Sequence, residues 1–121
     1  MAFINPTPEQ FTELKNYSDE GPVVMVNLLK FKPDGGEAMY ARYTAVAHDI
    51  IVNRLYGRII YRGRAIATVI GEDGWDEVLL VEFPSINAFF EMQNDPEYHE
   101  ALKSRTDALL DARLYFTKIS G

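Results

Sequence analysis

The sequence predicts an α+β fold in which helices cover one side of a four-stranded antiparallel sheet. Four segments have the apolar, β-branched and aromatic content of strands. The segments between them repeat apolar residues with helical spacing or consist of turn residues. The predicted order is helix, strand, helix, two strands, a helical region and a final strand. Without the first helix this order is βαββαβ, the ferredoxin-like motif.

Capping and turn residues set the ends of these elements. Thr7, Pro8 and Gln10 form a helix start signal, and Asp95-Pro96 forms another. The sequence GEDG at 71–74 predicts a hairpin between the second and third strands. We assign residues 1–121 to a single domain with a helical extension over 1–21. The other predicted elements are strands over 23–32, 58–70, 75–83 and 113–119, and helices over 37–56, 86–92 and 96–111.

Composition excludes several classes of protein. The 121 residues are 47% hydrophobic and 25% charged, which is typical of a globular chain and too apolar for a disordered one. There is no cysteine, and the net charge of −6 disfavours binding to nucleic acid. No apolar run has the length of a membrane span, and the first residues do not have the pattern of a signal peptide. We therefore expect a cytoplasmic protein that has neither nucleic acid nor membrane as a partner.

Both faces of the predicted sheet are apolar. The first strand presents Val23, Met25, Leu29 and Phe31 on one face and an equally apolar set on the other, and the third strand does the same. The helices of this fold cover one face only, so the second face needs another cover. The simplest cover is the same face of a second copy, which predicts a homodimer.

Several strings of this sequence resemble a known family. They are VVMVNLLKFKP (23–33), Tyr40 with Tyr43, YGRIIYRG (56–63), VLLVEFPS (78–85), and DPEY (95–98) with Arg105. Their order is similar to that of the family known as domain of unknown function 1330, over roughly residues 22–119. That family usually has two glycines before the arginine of the third string, whereas here the first is Tyr56. The resemblance implies a dimeric α/β barrel with a pocket, and its superfamily includes monooxygenases, isomerases, cyclases and haem-dependent enzymes.

The two histidines, His48 and His99, both fall outside the apolar stripes of their predicted helices. We expect both to be exposed, since such positions are normally solvated. Neither has a second histidine at metal-ligand spacing, so we expect no protein metal site and no cofactor. His48 is kept as a candidate general base.

Two arginines fall within predicted apolar stripes. Arg105 lies in the stripe of the last helix, and Arg54 lies in that of the second helix. A buried guanidinium needs an anion or several acceptors. Either each stem packs on the core while its head group reaches water or a carboxylate, or one arginine joins Arg64 in a pocket for an anionic ligand.

Asn27 and Glu82 interrupt otherwise apolar strands. Each needs a partner, and for Glu82 the expected structural partner is Arg105 or Lys30. The alternative is a pocket acid whose pKa is raised by burial. Among the tyrosines, which are mainly expected in the core, Tyr43 and Tyr98 are candidates to orient a ligand through their hydroxyl groups.

Three hypotheses follow from these residues. The first is an enzyme without a bound metal that acts on a small, partly apolar anion. Glu82 or His48 would move a proton, and Asn27, Tyr43, Arg54, Arg64, Tyr98 and Arg105 would bind. The second is a small-molecule-binding protein without chemistry, and the third is a structural dimer. A cavity with two titratable groups would favour the enzyme, and a filled interior would favour the structural dimer.

Overall fold

The computed structural model describes residues 2–18 and 20–119. The helices are α1 (Pro8–Leu14), α2 (Gly36–Asp49), α3 (Ile86–Gln93) and α4 (Pro96–Ala108), and the strands are β1 (Val23–Phe31), β2 (Arg58–Arg64), β3 (Glu77–Phe83) and β4 (Leu109–Thr117). A short 3₁₀ turn follows α1, and a π-helical turn, Ile50–Arg54, follows α2. The predicted α+β class and the order βαββαβ after an N-terminal helix are confirmed. No helix in the described ranges is long and apolar enough to cross a membrane.

The four strands form one antiparallel sheet in the order β2-β3-β1-β4. Alternate residues of β1 and β3 point to opposite sides, and one side packs on the helices. This helix-covered face includes Met25, Leu29, Val81 and Phe83, each at most 6% exposed. The other side, called here the open face, carries partly buried aliphatic side chains on β1 and β3 and two exposed tyrosines, Tyr61 and Tyr115.

Capping residues fix the ends of the helices as expected. The Thr7 hydroxyl accepts a hydrogen bond from the Gln10 amide, and the Gln10 side chain accepts one from the Thr7 amide. At α4 the Asp95 carboxylate accepts from the Glu97 amide, with Pro96 in the first helical position. These bonds satisfy N–H groups that have no partner within the helix.

The second helix ends in a tight connection to β2. The backbone of Tyr56 has φ 60°, in the left-handed region that favours glycine. The Gly57 amide donates to the Ile51 carbonyl, and a Cβ on Gly57 would lie 2.6 Å from the Glu82 carbonyl oxygen. Only a glycine therefore fits at position 57 without a shift of the backbone.

Two predicted boundaries are wrong. The second strand ends at Arg64, not at residue 70, so a connection of residues 65–76 replaces the predicted hairpin turn at 71–74. The last strand begins at Leu109, because α4 ends at Ala108. Leu109, which the predicted helix over 96–111 included, is therefore a strand residue, and it is fully buried.

The N-terminal segment lies beside β4. The Phe3 carbonyl accepts from the Ala112 amide at 2.7 Å, and the Phe3 amide donates to the Asp111 carboxylate at 2.9 Å. The Ile4 carbonyl accepts from the Arg105 guanidinium. The segment is thus attached to the sheet edge and to α4.

Candidate functional site

Arg105 is the most deeply buried of the predicted binding arginines. It lies in the last turn of α4 and is 6% exposed. Its guanidinium donates to the Ile4 carbonyl oxygen at 2.7 Å. Among the carboxylates of the described residues, none lies within 4.0 Å of it. The expected ion pair with Glu82 is not formed, and neither is one with any other described acid.

Glu82 lies on the other side of the sheet from Arg105. It shares the open face with Val78 and Leu80, whereas the helices cover their neighbours along β3. Its carboxylate accepts a hydrogen bond from Arg58 at 2.7 Å, and this bond lowers the pKa of Glu82. The expectation that burial raises this pKa is therefore wrong. The reason is that successive residues of β3 point to opposite faces of the sheet, which places Glu82 on the face away from the helices.

Three tyrosines form a cluster of tilted and edge-to-face rings between the sheet and the helices. Tyr43 on α2 and Tyr98 on α4 have their hydroxyl oxygens 2.9 Å apart, and both residues are buried. The ring of Tyr40 lies 5.3 Å from that of Tyr43. Burial raises the pKa of both Tyr40 and Tyr43 well above the usual value, so these hydroxyl groups are neutral hydrogen-bonding groups at pH 7.

An ion pair that sequence reasoning missed lies on the helix-covered face. The Arg62 guanidinium donates to the Glu77 carboxylate at 3.2 Å, and Glu77 is 7% exposed. A register shift in β2 between Ile59 and Tyr61 places Arg62 opposite Leu79. The sequence did contain one indication of this burial. Glu77 stands two residues before Leu79 in the same strand, so both side chains point to the same face.

Both guanidinium groups lie near the same hydroxyl. The charges of Arg105 and, more weakly, Arg62 oppose the effect of burial on the pKa of Tyr40, and the charge of Glu77 adds to it. Arg105, Arg62 and Glu77 therefore act on one point in the interior. Two guanidinium groups and one carboxylate thus influence Tyr40, with Arg105 and Glu77 buried and the Arg62 side chain 39% exposed.

His48 is partly buried, so the expectation that it is exposed is wrong. Its Nε2 atom is buried and has no hydrogen-bond partner among the described residues. Burial and then the charge of Arg62 lower the pKa of its imidazole, so the ring is neutral at pH 7. His99, by contrast, is exposed and bonds to the Gln93 carbonyl.

Asn27 is buried on the helix-covered face, and its side-chain amide donates to the Leu79 carbonyl at 3.2 Å. We call the residues of this side the interior polar group: Asn27, Tyr40, Tyr43, His48, Arg62, Glu77, Tyr98 and Arg105. Five of them were predicted as site residues. The other three are Tyr40, Arg62 and Glu77.

The two remaining predicted arginines lie at the surface. The Arg54 side chain is 43% exposed and forms ion pairs with Asp49, Asp95 and Glu97. The Arg64 side chain is 75% exposed and pairs with Glu37. Both have acidic partners, and neither joins Arg105.

A surface cleft of about 420 Å³ lies at the other end of the sheet. Val23 and Phe116 line it together with residues of α1 and its 3₁₀ turn. None of the eight predicted site residues lines this cleft.

The sequence profile of the family described as "Domain of unknown function (DUF1330)" matches residues 35–117, which is more than half of the chain. The chain belongs to the DUF1330 family. The match runs from α2 to β4, and it confirms the family resemblance for that part of the molecule. No curated protein matches the DUF1330 chain.

Solved structures show the same fold. RPA0582 from Rhodopseudomonas palustris, a protein of unknown function, is 35% identical over 100% of this DUF1330 chain and 99% of its own, with a TM-score of 0.91. A dimeric ferredoxin-like protein of unknown function from Jannaschia sp. CCS1 is 11% identical, with a TM-score of 0.66, over 82% and 100% of the two chains. Hydroxynitrile lyase from Passiflora edulis is 14% identical, with a TM-score of 0.65, over 83% and 94%. The last two likenesses show the fold alone.

Proposed function

We propose that this protein is a homodimer that binds a small, partly apolar anion between its sheet and helices, at the interior polar group. One observation carries the proposal. On the helix-covered side, Arg105 is buried with no carboxylate of the described residues within 4.0 Å, while the buried carboxylate of Glu77 pairs with Arg62. With neutral tyrosines and a neutral His48, this group has a net charge of about +1 by count.

The burial of Arg105 supports an anionic ligand. A buried charge without a counter-charge is costly, because the desolvation penalty of an ion is several kcal/mol. The Ile4 carbonyl and the carbonyl end of α4 offset part of this cost. A carboxylate ligand would offset more, since its two oxygens match the fork of a guanidinium.

The surroundings of Arg105 support a partly apolar ligand. The charge of Arg105 acts on the hydroxyl groups of Tyr40 and Tyr43, and the rings of Tyr40, Tyr43 and Tyr98 offer both apolar faces and hydroxyl groups. Of the two residues predicted to move a proton, only His48 lies on the same side of the sheet as Arg105. His48 is therefore the residue that would exchange a proton with the ligand if binding leads to chemistry.

The open face supports the homodimer. Val26, Leu28, Val78 and Leu80 are only partly buried there, and Tyr61 and Tyr115 are more than half exposed. The same faces of two copies would bury these side chains and form a closed α/β barrel. The dimeric state of the Jannaschia protein with this fold is consistent with such packing. We propose that this small acidic protein is cytoplasmic.

Benzoate and benzamide provide a matched test of the anion site, because they have the same ring and differ in charge. We expect benzoate to raise the melting temperature of the wild-type protein and benzamide to have little effect. Arg105→Lys should keep the charge and weaken the response, and Arg105→Met should abolish it. Arg54→Met removes a surface arginine and should leave the response intact.

Two results would overturn the anion site. One is a wild-type melting temperature that does not change with benzoate or other small carboxylates. The other is a response that is equal in the Arg105→Met and Arg54→Met variants. Since Arg105 also holds Ile4, the Arg105→Met variant could fail to fold, and Arg62→Gln then serves as the second variant. It removes the other guanidinium and should reduce the benzoate response while the protein stays folded.

A further inference from the structure

The connection between β2 and β3 carries three almost fully exposed aliphatic side chains. Ile66 is 95% exposed, and Val69 and Ile70 are 94% exposed. We call residues 65–70 the arm. Single exposed apolar residues are normal on a protein surface, but three within five residues form a patch that normally has a partner.

The base of this connection is firmly held. The Asp76 amide donates to the Leu29 carbonyl, and the Asp76 carbonyl accepts from the Ala65 amide. The Asp76 carboxylate also accepts from the Phe31 amide at 2.9 Å. Beyond this base, residues 66–74 make no backbone-to-backbone hydrogen bond with other described residues. The apolar tip therefore projects from a fixed position.

We propose that the arm docks on a second copy of this chain and supplies a large part of the dimer contact. The inference rests on the homodimer proposed above. It adds that the arm is the segment that stabilises this homodimer. The arm continues directly from β2, whose Tyr61 and Gly63 belong to the open face. It therefore begins at the margin of the surface that the two copies would share.

The area available for burial favours this role. A stable interface buries about 800 Å² on each partner. The aliphatic side chains of the open face are already partly covered by their neighbours, so each has little further area to lose. The three side chains of the arm are still almost entirely exposed and add their apolar area to that of the exposed Tyr61 and Tyr115 of the open face.

Charge favours a second copy over a membrane. The chain has a net charge of −6, which opposes binding to anionic lipid surfaces. The arm itself has no charged residue between Arg64 and Glu72. Two acidic chains can therefore meet at the arm without burying a charge.

The first test compares dimer dissociation constants by analytical ultracentrifugation. The triple variant Ile66→Ser, Val69→Ser and Ile70→Ser should dissociate at least about a hundredfold more readily, since it removes the burial of three aliphatic side chains on each copy. The control is the variant Val52→Ser, which removes an exposed aliphatic residue of the π-helical turn after α2 and should stay close to wild type.

The second test uses the absence of cysteine. Ile70→Cys gives the chain a single thiol, whose reaction with Ellman's reagent should be slower in the concentrated dimer than in the diluted monomer. Val52→Cys should react at the same rate in both. A wild-type dimer whose affinity is unchanged by the triple substitution, or an Ile70→Cys thiol equally reactive in both states, overturns the arm contact and leaves the dimer in place. A wild-type monomer at high concentration overturns both the arm contact and the dimer, while the benzoate response still tests the anion site.

Discussion

Tyr56 adopts a backbone conformation that favours glycine. Its φ of 60° costs a non-glycine residue roughly 1–2 kcal/mol, because the Cβ atom crowds the following carbonyl oxygen. The side chain is 86% exposed and contributes little packing in return. The two glycines that the family resemblance implies at this point would suit this geometry. The sequence showed that a tyrosine stands at position 56 where a glycine was expected. The structure shows that this tyrosine has a strained backbone conformation.

Replacing Tyr56 by glycine should therefore stabilise the protein. We expect a gain of about 0.5–1 kcal/mol, since the relieved strain exceeds the additional entropy of glycine in the unfolded chain. Urea unfolding measures this difference. Tyr56→Ala keeps a Cβ atom at the same position and should leave the midpoint nearly unchanged. Equal midpoints for the glycine and alanine variants would contradict the explanation.

His48 should make stability depend on pH. Burial and Arg62 lower the pKa of its imidazole in the folded state below the ordinary value of 6.5, so the unfolded chain binds the proton more readily. The contribution of the neutral His48 ring to the free energy of unfolding is complete above pH 6.5. It is lost as the pH falls from 6.5 toward the pKa that the ring has in the folded state. We expect the urea midpoint to fall between pH 7.5 and pH 5 by more in the wild type than in His48→Gln.

The second histidine provides the control. His99→Gln removes an exposed imidazole and leaves His48 in place, so it should keep the wild-type difference between the two pH values. An NMR titration of the His48 ring gives a direct check. A folded-state pKa at or above 6.5 would show that the ring is not buried as described here.

Strand β3 presents adjacent leucines to opposite sides of the sheet. Leu79 is 4% exposed under the helices, and Leu80 is partly buried on the open face. Leu79→Ala should cost about 2–5 kcal/mol at any protein concentration, because it leaves a cavity in the core. Leu80→Ala should cost less at low concentration, and its cost should rise with concentration as the dimer forms. Urea unfolding at 1 and 100 μM, on the order of typical assay concentrations, tests this difference. A Leu80→Ala cost that is the same at both concentrations would argue against open-face dimerisation.

The start of α4 depends on Asp95. Its carboxylate accepts from the Glu97 amide at 2.8 Å and also pairs with Arg54 at 3.1 Å. Asp95→Ala should destabilise the protein by about 1 kcal/mol, as is typical for loss of an N-cap. Asp95→Asn keeps the capping oxygen and loses the charge, so it should be close to wild type in thermal unfolding. Equal losses in both variants would assign the stabilisation to the ion pair instead.

The boundaries that the sequence missed share one physical cause. Residues 65–70 are rich in β-branched residues and have the local preference of a strand, but the neighbouring strand β3 begins only at Glu77. With no partner in the sheet, these residues leave the ladder at Arg64. The local sequence pattern shows a preference for strand, but a strand forms only where a neighbouring strand can pair with it. The start of β4 at Leu109 is likewise set by its pairing with Phe31.

The molecule as a whole shows which part of the site the sequence could predict. The burial of Arg105, Tyr43, Tyr98 and Asn27 followed from helix stripes and strand positions. The pairing of Glu82 could not be predicted from these patterns. The packing of the entire sheet determines which face of a strand meets the helices, and a local pattern does not show it. The Arg62–Glu77 pair depends on a register shift in β2, which local sequence patterns do not reveal.

The attachment of the N-terminal segment has a consequence for how the protein avoids aggregation. An edge strand offers unsatisfied N–H and carbonyl groups to any extended chain that meets it. The Phe3 carbonyl accepts a hydrogen bond from the Ala112 amide near the beginning of β4, so the residues before α1 cover that part of the edge strand. A protein shortened to begin at Asn5 would expose this amide and remove the Ile4 carbonyl that holds Arg105. Such a shortened chain should form intermolecular β-structure more readily on heating, so the few residues before the first helix act as a protective cover for the sheet.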